Sequence, residues 1–300
     1  MMTLAGRVAG APISWGVCEV PGWGHQMTAE RVLSEMHAAG LGATELGPEG
    51  FLPPSRARAL LANNDLKLVA GFVPAMLHEE AGLRGRLDAV AASADLIADL
   101  GGQVLVLAAS VGREGYDVTN RLDRDGWSAL GRGIERAAAL AEDRGLRVVL
   151  HPHHGTVVER PEDVERLLEI TDVGLCLDTG HILVGGGDPL ELARDAASRI
   201  VHVHLKDASA SVAEQVSAGR LGYRDAVRAG LYRPLGDGDL DVTAVVRVLE
   251  QSGYGGWYVL EHDEVLDREP EEASGPILDA RRSLVFLERA WEGVGTATRG

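Results

Sequence analysis

Cysteine and aromatic residues are scarce in this chain. Only Cys18 and Cys176 occur among its 300 residues, too few for a framework of disulfide bonds, so we expect an intracellular, cytoplasmic protein. Aromatic residues make up 4% of the chain, which argues against a surface that stacks nucleic-acid bases. No apolar run reaches the roughly 18–20 residues that span a bilayer. We therefore expect no membrane partner.

Positive charge is also in short supply. Lysine and arginine total 29, aspartate and glutamate total 45, and the formal net charge is −16. An average field of this sign repels a phosphate backbone, so the predicted partners do not include nucleic acid. Hydrophobic residues make up 45% and charged residues 25% of the chain, which is typical of a globular domain and excludes a fibrous or disordered chain.

Eight short apolar runs alternate with eight longer helical patterns. The predicted strands are residues 8–13, 43–46, 66–72, 104–107, 147–150, 174–177, 200–205 and 257–260. The predicted helices are residues 28–39, 54–63, 84–100, 126–144, 161–170, 188–198, 241–252 and 274–292. This repeat predicts an α/β fold, a single (β/α)8 TIM barrel over residues 1–292 with its active site at the C-terminal mouth of the strands.

Two segments fall outside this repeat. The long irregular stretch 207–238 follows the seventh predicted strand, so we expect a functional loop or a capping helix at the mouth of the barrel. Residues 293–300 are small and polar, and they predict a flexible C-terminal tail.

Ionisable residues collect at the ends of the last four predicted strands. Seven of the ten histidines lie there: His151, His153, His154, His181, His202, His204 and His262. Because the carboxyl ends of barrel strands meet at one mouth, we expect these side chains to share a cavity. In the seventh strand, His202, His204 and Lys206 alternate with apolar residues and so face the lumen, where buried ionisable groups need a partner or a ligand.

Carboxylates stand at the same level of the predicted barrel. Asp178 follows the sixth strand, Glu261 follows the eighth and Glu45 ends the second. Histidine nitrogens mixed with carboxylate oxygens suit a divalent ion such as Mn²⁺, Co²⁺, Fe²⁺ or Zn²⁺. The lack of a cysteine pair excludes a structural zinc site with thiolate ligands. A helix cap would also explain Asp178, and an ion pair within the barrel would also explain Glu45.

These residues resemble the motifs of the xylose-isomerase-like barrel superfamily, and within it those of the inosose (2-keto-myo-inositol) dehydratases. The motifs that carry the resemblance are APISW at 11–15, GATELG at 42–47, HPHHGT at 151–156, LDTGH at 177–181, HVHLKD at 202–207, and PLGDG at 234–238 with Asp241. The segments around Asp178 and Lys206 are typical of the superfamily. The cluster at 151–156 and the segment 234–238 are typical of the dehydratase branch.

The resemblance implies a metal site made of His151, Asp178, His204 and Glu261. The first position departs from the superfamily, which has a glutamate there, so His153 is the alternative ligand from the fifth strand. The ion that we expect is Mn²⁺ or Co²⁺, ahead of Zn²⁺, Fe²⁺ or Mg²⁺.

The reaction implied by the resemblance is the loss of water from a cyclic polyhydroxy ketone of the inosose type, a step of inositol catabolism. A base removes the proton α to the ketone and an acid protonates the departing β-hydroxyl. We expect Lys206, His153 and Glu261 to be catalytic, and we expect nearby positive charge to lower the pKa of Lys206. The expected substrate contacts are Trp15, Glu45, His181, His202 and Arg224.

Other functions use the same barrel. A ketose 3-epimerase or isomerase, or an enzyme that processes keto-glycosides, would share the metal site. His151 counts against the epimerase, because epimerases of this superfamily use the glutamate of that position as one of two opposed acid–base groups. A barrel that binds a sugar without turnover is a further alternative, since a fold does not establish a chemistry. The resemblance also implies a homodimer or homotetramer.

Overall fold

Eight parallel strands close into a barrel, with helices on its outer side. A computed structural model of the chain describes residues 4–118 and 121–297. The barrel strands are β1 (Val8–Gly10), β2 (Ala43–Glu45), β3 (Lys67–Ala75), β4 (Val104–Ala109), β5 (Arg147–Leu150), β6 (Gly174–Asp178), β7 (Ile200–Leu205) and β10 (Tyr258–Leu260). Each strand pairs with the next in chain order, and β10 closes the barrel between β7 and β1. The predicted (β/α)8 barrel is confirmed.

Helices precede or follow each strand. They are α1 (Ala29–Ala39), α2 (Pro54–Asn63), α3 (Leu83–Asp99), α4 (Arg124–Glu142), α5 (Pro161–Ile170), α6 (Thr179–Val184), α7 (Pro189–Asp195), α8 (Ala210–Ser217), α9 (Tyr223–Arg228), α10 (Val242–Gln251) and α11 (Pro276–Ala297). Single-turn 3₁₀ helices occupy Leu4–Arg7, Pro12–Trp15 and Ala197–Arg199. None of the helices in the described ranges is long and apolar enough to cross a membrane.

The core has two concentric layers. The larger layer lies between the strands and the outer helices and includes Leu33, Leu105 and Ile134. The inner layer fills the barrel with small and β-branched side chains such as Ala9 and Val106. All residues of β4 are buried, because the strand is covered on both sides. A strand in this position is an unbroken run of apolar residues in the sequence.

The stretch 207–238 contains helices over the mouth of the barrel, which is the second of the two forms expected for it. It contains α8 and α9, and its ends pair as a short antiparallel sheet of β8 (Asp207–Ala208) and β9 (Tyr232–Arg233). The buried Asp207 carboxylate ties this segment together by accepting hydrogen bonds from the backbone N–H groups of Ala208, Gly236, Gly238 and Leu240, at 2.8–3.1 Å. Both helices pack over the C-terminal mouth of the barrel through a separate apolar cluster that includes Tyr223 and Leu231.

The C-terminal end differs from the prediction in one respect. Helix α11 continues to Ala297, so Gly293, the start predicted for the flexible tail, is not where the helix ends. Residues 298–300 of the predicted tail lie outside the described residues.

Candidate active site and metal centre

A cavity opens at the C-terminal mouth of the barrel. Its polar lining residues are Glu19, Glu45, Tyr116, His151, His153, His204, Glu261 and Asp263. Among the described residues that line it there is no lysine or arginine. The cavity is therefore suited to a small ligand that is rich in hydrogen-bond donors and carries no negative charge.

Asp178, His204 and Glu261 converge beside this cavity. One potential ligand atom from each lies within 4.8 Å of the other two. Asp178 and His204 are register partners at the ends of the neighbouring strands β6 and β7, and Glu261 directly follows β10. The Asp178 carboxylate is held in place because its Oδ1 accepts hydrogen bonds from the backbone N–H groups of Gly180 and His181, at 2.9 and 2.8 Å.

The donor atoms of this cluster fit a divalent cation. His204 Nδ1 lies 2.9 Å from Glu261 Oε2 and 3.5 Å from Asp178 Oδ2, yet it is buried without an aligned hydrogen-bond partner in the described parts of the chain. Burial lowers the pKa of His204, but its neighbours, with Cys176 and Glu261 foremost, raise that pKa well above its ordinary value. The surroundings of this nitrogen thus attract positive charge. One nitrogen and two carboxylate oxygens are ligands that Mn²⁺, Co²⁺ and Zn²⁺ accept.

His151 lies next to the same cluster. Its Nε2 is 3.2 Å from Asp178 Oδ2, and its ring centroid is 4.9 Å from that of His204. Burial lowers the pKa of His151, which favours the neutral imidazole that binds metals. Between the two histidines that the sequence offers as the ligand from the fifth strand, His151 is therefore the better placed.

Glu45 orients the histidines of β7. Its Oε1 accepts hydrogen bonds from His204 Nε2 at 3.1 Å and from His202 Nε2 at 2.7 Å. A proton on His204 Nε2 leaves Nδ1 with the lone pair that faces Asp178 and Glu261. Glu45 thus completes a carboxylate–histidine arrangement of the kind that fixes metal ligands. It lines the cavity, as expected of a substrate contact, but its Oε1 is already used by the two histidines.

His153 lines the same cavity as a neutral imidazole. Its Nδ1 lies 2.7 Å from the His154 carbonyl oxygen; because a carbonyl only accepts, Nδ1 carries the proton and Nε2 is the basic nitrogen. Burial, with the charge of His151 next, lowers the pKa of His153 well below its ordinary value. The rings of His181 and Tyr116 pack against it, with centroids 3.7 and 4.8 Å away.

The expected lowering of the Lys206 pKa is wrong. Burial does lower it, but Asp178, Asp263 and Glu261 outweigh burial and raise the pKa of Lys206 well above its usual value. Lys206 Nζ donates to Asp178 Oδ2 at 2.9 Å, contacts Glu261 and lies 3.2 Å from Asp263 Oδ1. The sequence places histidines beside this lysine but does not reveal that three carboxylates surround it.

Four of the expected substrate contacts lie away from the cavity surface. Trp15 is buried and its indole N–H donates to Glu35 Oε2 at 2.9 Å, because the 3₁₀ turn Pro12–Trp15 breaks the alternation of β1. His202 and His181 are buried behind Glu45 and His153 respectively. Arg224 lies on α9, where its side chain is exposed and donates to the Trp23 carbonyl at 2.8 Å.

Among the cavity residues with polar or aromatic side chains, four escaped the sequence-based selection. Asp263 lies two residues after Glu261, so strand alternation could have placed it on the same face. Phe72 belongs to β3 and carries no polar signal. Glu19 and Tyr116 lie in irregular loops after β1 and β4. Nothing in their local sequence indicates that the two loops meet.

Comparisons with known proteins agree with this fold. A family model described as "Xylose isomerase-like TIM barrel" matches residues 29–287. A curated relative, the inosose dehydratase of Geobacillus kaustophilus (strain HTA426), is 35% identical over 269 residues, which cover 86% of this chain and 87% of the relative.

Solved structures share the fold. An L-ribulose 3-epimerase superposes with a TM-score of 0.72 at 17% identity and covers 98% of this chain and 97% of its own. The IOLI protein, solved with a zinc atom, superposes with a TM-score of 0.68 at 15% identity over 94% of this chain and 97% of its own. At these identities the likeness concerns the fold alone.

Proposed function

The chain belongs to the xylose isomerase-like TIM barrel family, and on that premise we propose that it is a divalent-metal-dependent hydro-lyase that removes water from a cyclic polyhydroxy ketone of the inosose type. The observation that carries this proposal is the convergence of Asp178, His204 and Glu261 beside a cavity with acid–base side chains, in a chain whose relative at 35% identity is an inosose dehydratase.

The proposed metal ligands are Asp178, His204 and Glu261, with His151 as the fourth. Mn²⁺ or Co²⁺ is the proposed ion. When bound, such an ion supplies a Lewis acid that stabilises negative charge developing on the ketone oxygen. Glu45 holds His204 in the tautomer that this ligation needs.

His153 is the proposed base. Its Nε2 takes the proton from the carbon α to the ketone, and the electron pair of that C–H bond becomes the new C=C bond. The β-hydroxyl leaves with the electrons of its C–O bond and accepts a proton, so that the products are one water molecule and an unsaturated ketone.

Asp263 is the proposed proton donor for the departing hydroxyl. It lines the cavity, its Oδ2 accepts a hydrogen bond from Tyr223 at 2.7 Å, and burial raises its pKa to about 6. Lys206 lies behind Asp263 and is not among the residues that line the cavity. In this scheme it is a positioning residue that holds the acidic groups together, and Glu261 serves as a ligand.

The lining of the cavity supports an uncharged polyol as substrate. Glu19, Glu45, Glu261 and Asp263 would repel a sugar phosphate or a sugar acid, whereas hydroxyl groups can donate to them. Inosose fits this description as a neutral ring with several hydroxyls. A role in inositol catabolism and a cytoplasmic location follow from this proposal and remain predictions.

The test is to incubate purified protein with 2-keto-myo-inositol in heavy water, with Mn²⁺ or Co²⁺ or with a chelator. The proposal expects a product lighter by one water molecule, formed only when the ion is present. Recovery of a ketone of unchanged formula that has gained deuterium would favour the epimerase instead. If the protein binds the ketone but neither dehydrates it nor exchanges its α-proton, the barrel is a binding protein.

Asp178→Asn provides the matched control for this assay. The amide retains the size of the side chain and an oxygen that can accept the N–H bonds of Gly180 and His181, but it removes one charged ligand. The variant should fold and lose the metal-dependent activity. Activity equal to that of the unmodified protein would contradict the proposed ligand set.

A further inference from the structure

Glu19 is an exposed carboxylate on the wall of the cavity that the proposed reaction does not use. It lies on the loop after β1 and lines the same cavity as His153 and Glu261. Its side chain is exposed, and among the described residues no lysine, arginine or histidine forms an ion pair with it. A carboxylate in this situation offers hydrogen-bond acceptors to whatever occupies the cavity.

Tyr116 fixes the position of this carboxylate. The Tyr116 hydroxyl donates to Glu19 Oε1 at 2.5 Å, which ties the loop after β1 to the loop after β4. Burial, with the charge of Glu19 next, raises the pKa of Tyr116 well above its ordinary value, so the hydroxyl stays protonated and continues to donate. Glu19 Oε2 has only a weak contact, with Cys18 Sγ at 3.8 Å.

The loop that carries Glu19 is braced on both sides. Gln26 bridges it by accepting from the Cys18 N–H at 2.9 Å and donating to the Gly16 carbonyl at 3.0 Å. Trp23 donates its indole N–H to the Glu264 carbonyl at 2.8 Å and packs edge-on against Tyr116, with ring centroids 5.9 Å apart. Acceptors held in this way bind with a smaller loss of conformational entropy than mobile ones.

We infer that Glu19, positioned by Tyr116, is a specificity-determining residue that accepts a hydrogen bond from a substrate hydroxyl other than the one that departs. The inference rests on the proposed function, because it assigns one wall of the same cavity. Tyr116 packs against the His153 ring, with centroids 4.8 Å apart, so the carboxylate that it holds lines the same cavity as the proposed base. A site built to pair with a hydroxyl rejects an analogue that lacks it.

The experiment is a cycle that combines residue variants with substrate analogues. The kcat/KM of the unmodified protein, Glu19→Ala and Glu19→Gln is measured for 2-keto-myo-inositol and for monodeoxy analogues that retain the ketone and the departing hydroxyl. Glu19→Ala should lower kcat/KM for the parent ketone about 10- to 100-fold, the range of a hydrogen bond to a charged group. For one monodeoxy analogue, the unmodified protein and the variant should be equal.

Two further variants separate specificity from folding. Tyr116→Phe keeps the ring against His153 but releases Glu19, so it should show a smaller loss with the same dependence on that hydroxyl. Glu49→Gln, an exposed glutamate in the neighbouring groove, should change nothing. A structural role for Glu19 would lower kcat/KM equally for every analogue, and that result would overturn the inference.

Failure of the proposed function is distinguishable from failure of this inference. If the unmodified protein does not dehydrate 2-keto-myo-inositol, the proposed function fails. Calorimetric binding of the same ketone and its deoxy analogues to the unmodified protein and to Glu19→Ala then tests the Glu19 contact by itself. Equal effects of the substitution on all of these ligands, or no binding of any of them, would overturn the inference in that assay.

Discussion

At the scale of single residues, the site depends on carboxylates whose main partners are other side chains of the protein. Glu45 is the clearest example, because its Oε1 accepts from two histidines of the same strand. Burial raises the pKa of Glu45, but His204 and His202 outweigh burial and keep it well below its usual value. A charged acceptor therefore holds His204 in the tautomer that the proposed metal ligation requires.

Replacing Glu45 by glutamine should weaken metal binding without unfolding the protein. The amide is a poorer acceptor for two imidazoles, so His204 loses its fixed tautomer, and changes of this kind reduce metal affinity about 10- to 100-fold. Competition with a chelator measures the effect. Glu35→Gln alters a buried glutamate that pairs with Trp15 and Arg31 instead, and it should leave the affinity unchanged. Equal affinities in all three proteins would remove Glu45 from the site.

Lys206 gives a second prediction, about stability. Removing its ammonium in Lys206→Met leaves three buried carboxylates next to one another, and breaking a buried ion pair from one side is destabilising by about 3–5 kcal/mol. The free energy of unfolding in urea with a chelator should fall accordingly, and Mn²⁺ should restore part of it. The chain's other lysine, Lys67, is exposed at the start of β3, so Lys67→Met is the control. An unchanged free energy of unfolding for Lys206→Met would show that the carboxylates do not need the lysine.

At the scale of structural elements, the sequence predicts the periodic segments well and the connections poorly. Strands 147–150 and 200–205 and helices 54–63 and 161–170 have their predicted bounds, because apolar periodicity responds directly to burial. The alternation in β7 likewise places His202, His204 and Lys206 in the lumen. Long-range contacts leave no such local trace.

Contacts of this kind shape the cavity. The bond between Tyr116 and Glu19 joins residues 97 positions apart. The three carboxylates around Lys206 come from two different strand ends. Trp15 is an error of the other kind, because the motif predicted a substrate contact that the structure does not show. The chain turns after β1, and the Trp15 side chain is buried in the core. The convergence of Asp178, His204 and Glu261 was predictable from motifs, whereas the electrostatics of Lys206 and the contact between Tyr116 and Glu19 were not.

The turn after β5 supports a prediction about a glycine. Gly155 has a positive φ of +74°. It also lies against the Tyr116 carbonyl, and a Cβ at this position would be 2.2 Å from that oxygen. Gly155→Ala must therefore displace the loop that carries Tyr116 or the turn that carries His153. Because misplacement by about 1 Å costs roughly 100-fold in rate, kcat/KM should fall at least 10-fold.

Gly186→Ala is the matched control for this turn. Gly186 has φ +88°, but a Cβ there would have no neighbouring atom within 4 Å, so alanine meets only the backbone strain of about 1–2 kcal/mol. It should lower the free energy of unfolding in urea and leave kcat/KM unchanged. If both alanine variants had the same activity, the contact between Gly155 and Tyr116 would have no part in the reaction.

At the scale of the whole molecule, the acidic charge makes the folded state respond to cations. The net charge is −16, and the mouth of the barrel concentrates carboxylates around one small volume. An ion that binds only the folded protein stabilises it by about 2.7 kcal/mol at a concentration of 100 times Kd. Mn²⁺ at that concentration should raise Tm by roughly 4–5 °C, as measured by calorimetry against a chelator-treated sample.

A second group of potential metal ligands lies outside the barrel, so two variants are needed to show which group binds the stabilising ion. His262, Glu264 and Asp279 form a half-exposed cluster whose potential ligand atoms also lie within 4.8 Å of one another. Burial raises the pKa of Glu264 to about 7, which weakens its attraction for a cation near neutral pH. The Mn²⁺-dependent rise in Tm should vanish in Asp178→Asn and persist in Asp279→Asn. Persistence in Asp178→Asn would place the stabilising ion elsewhere and would separate the metal from the proposed reaction.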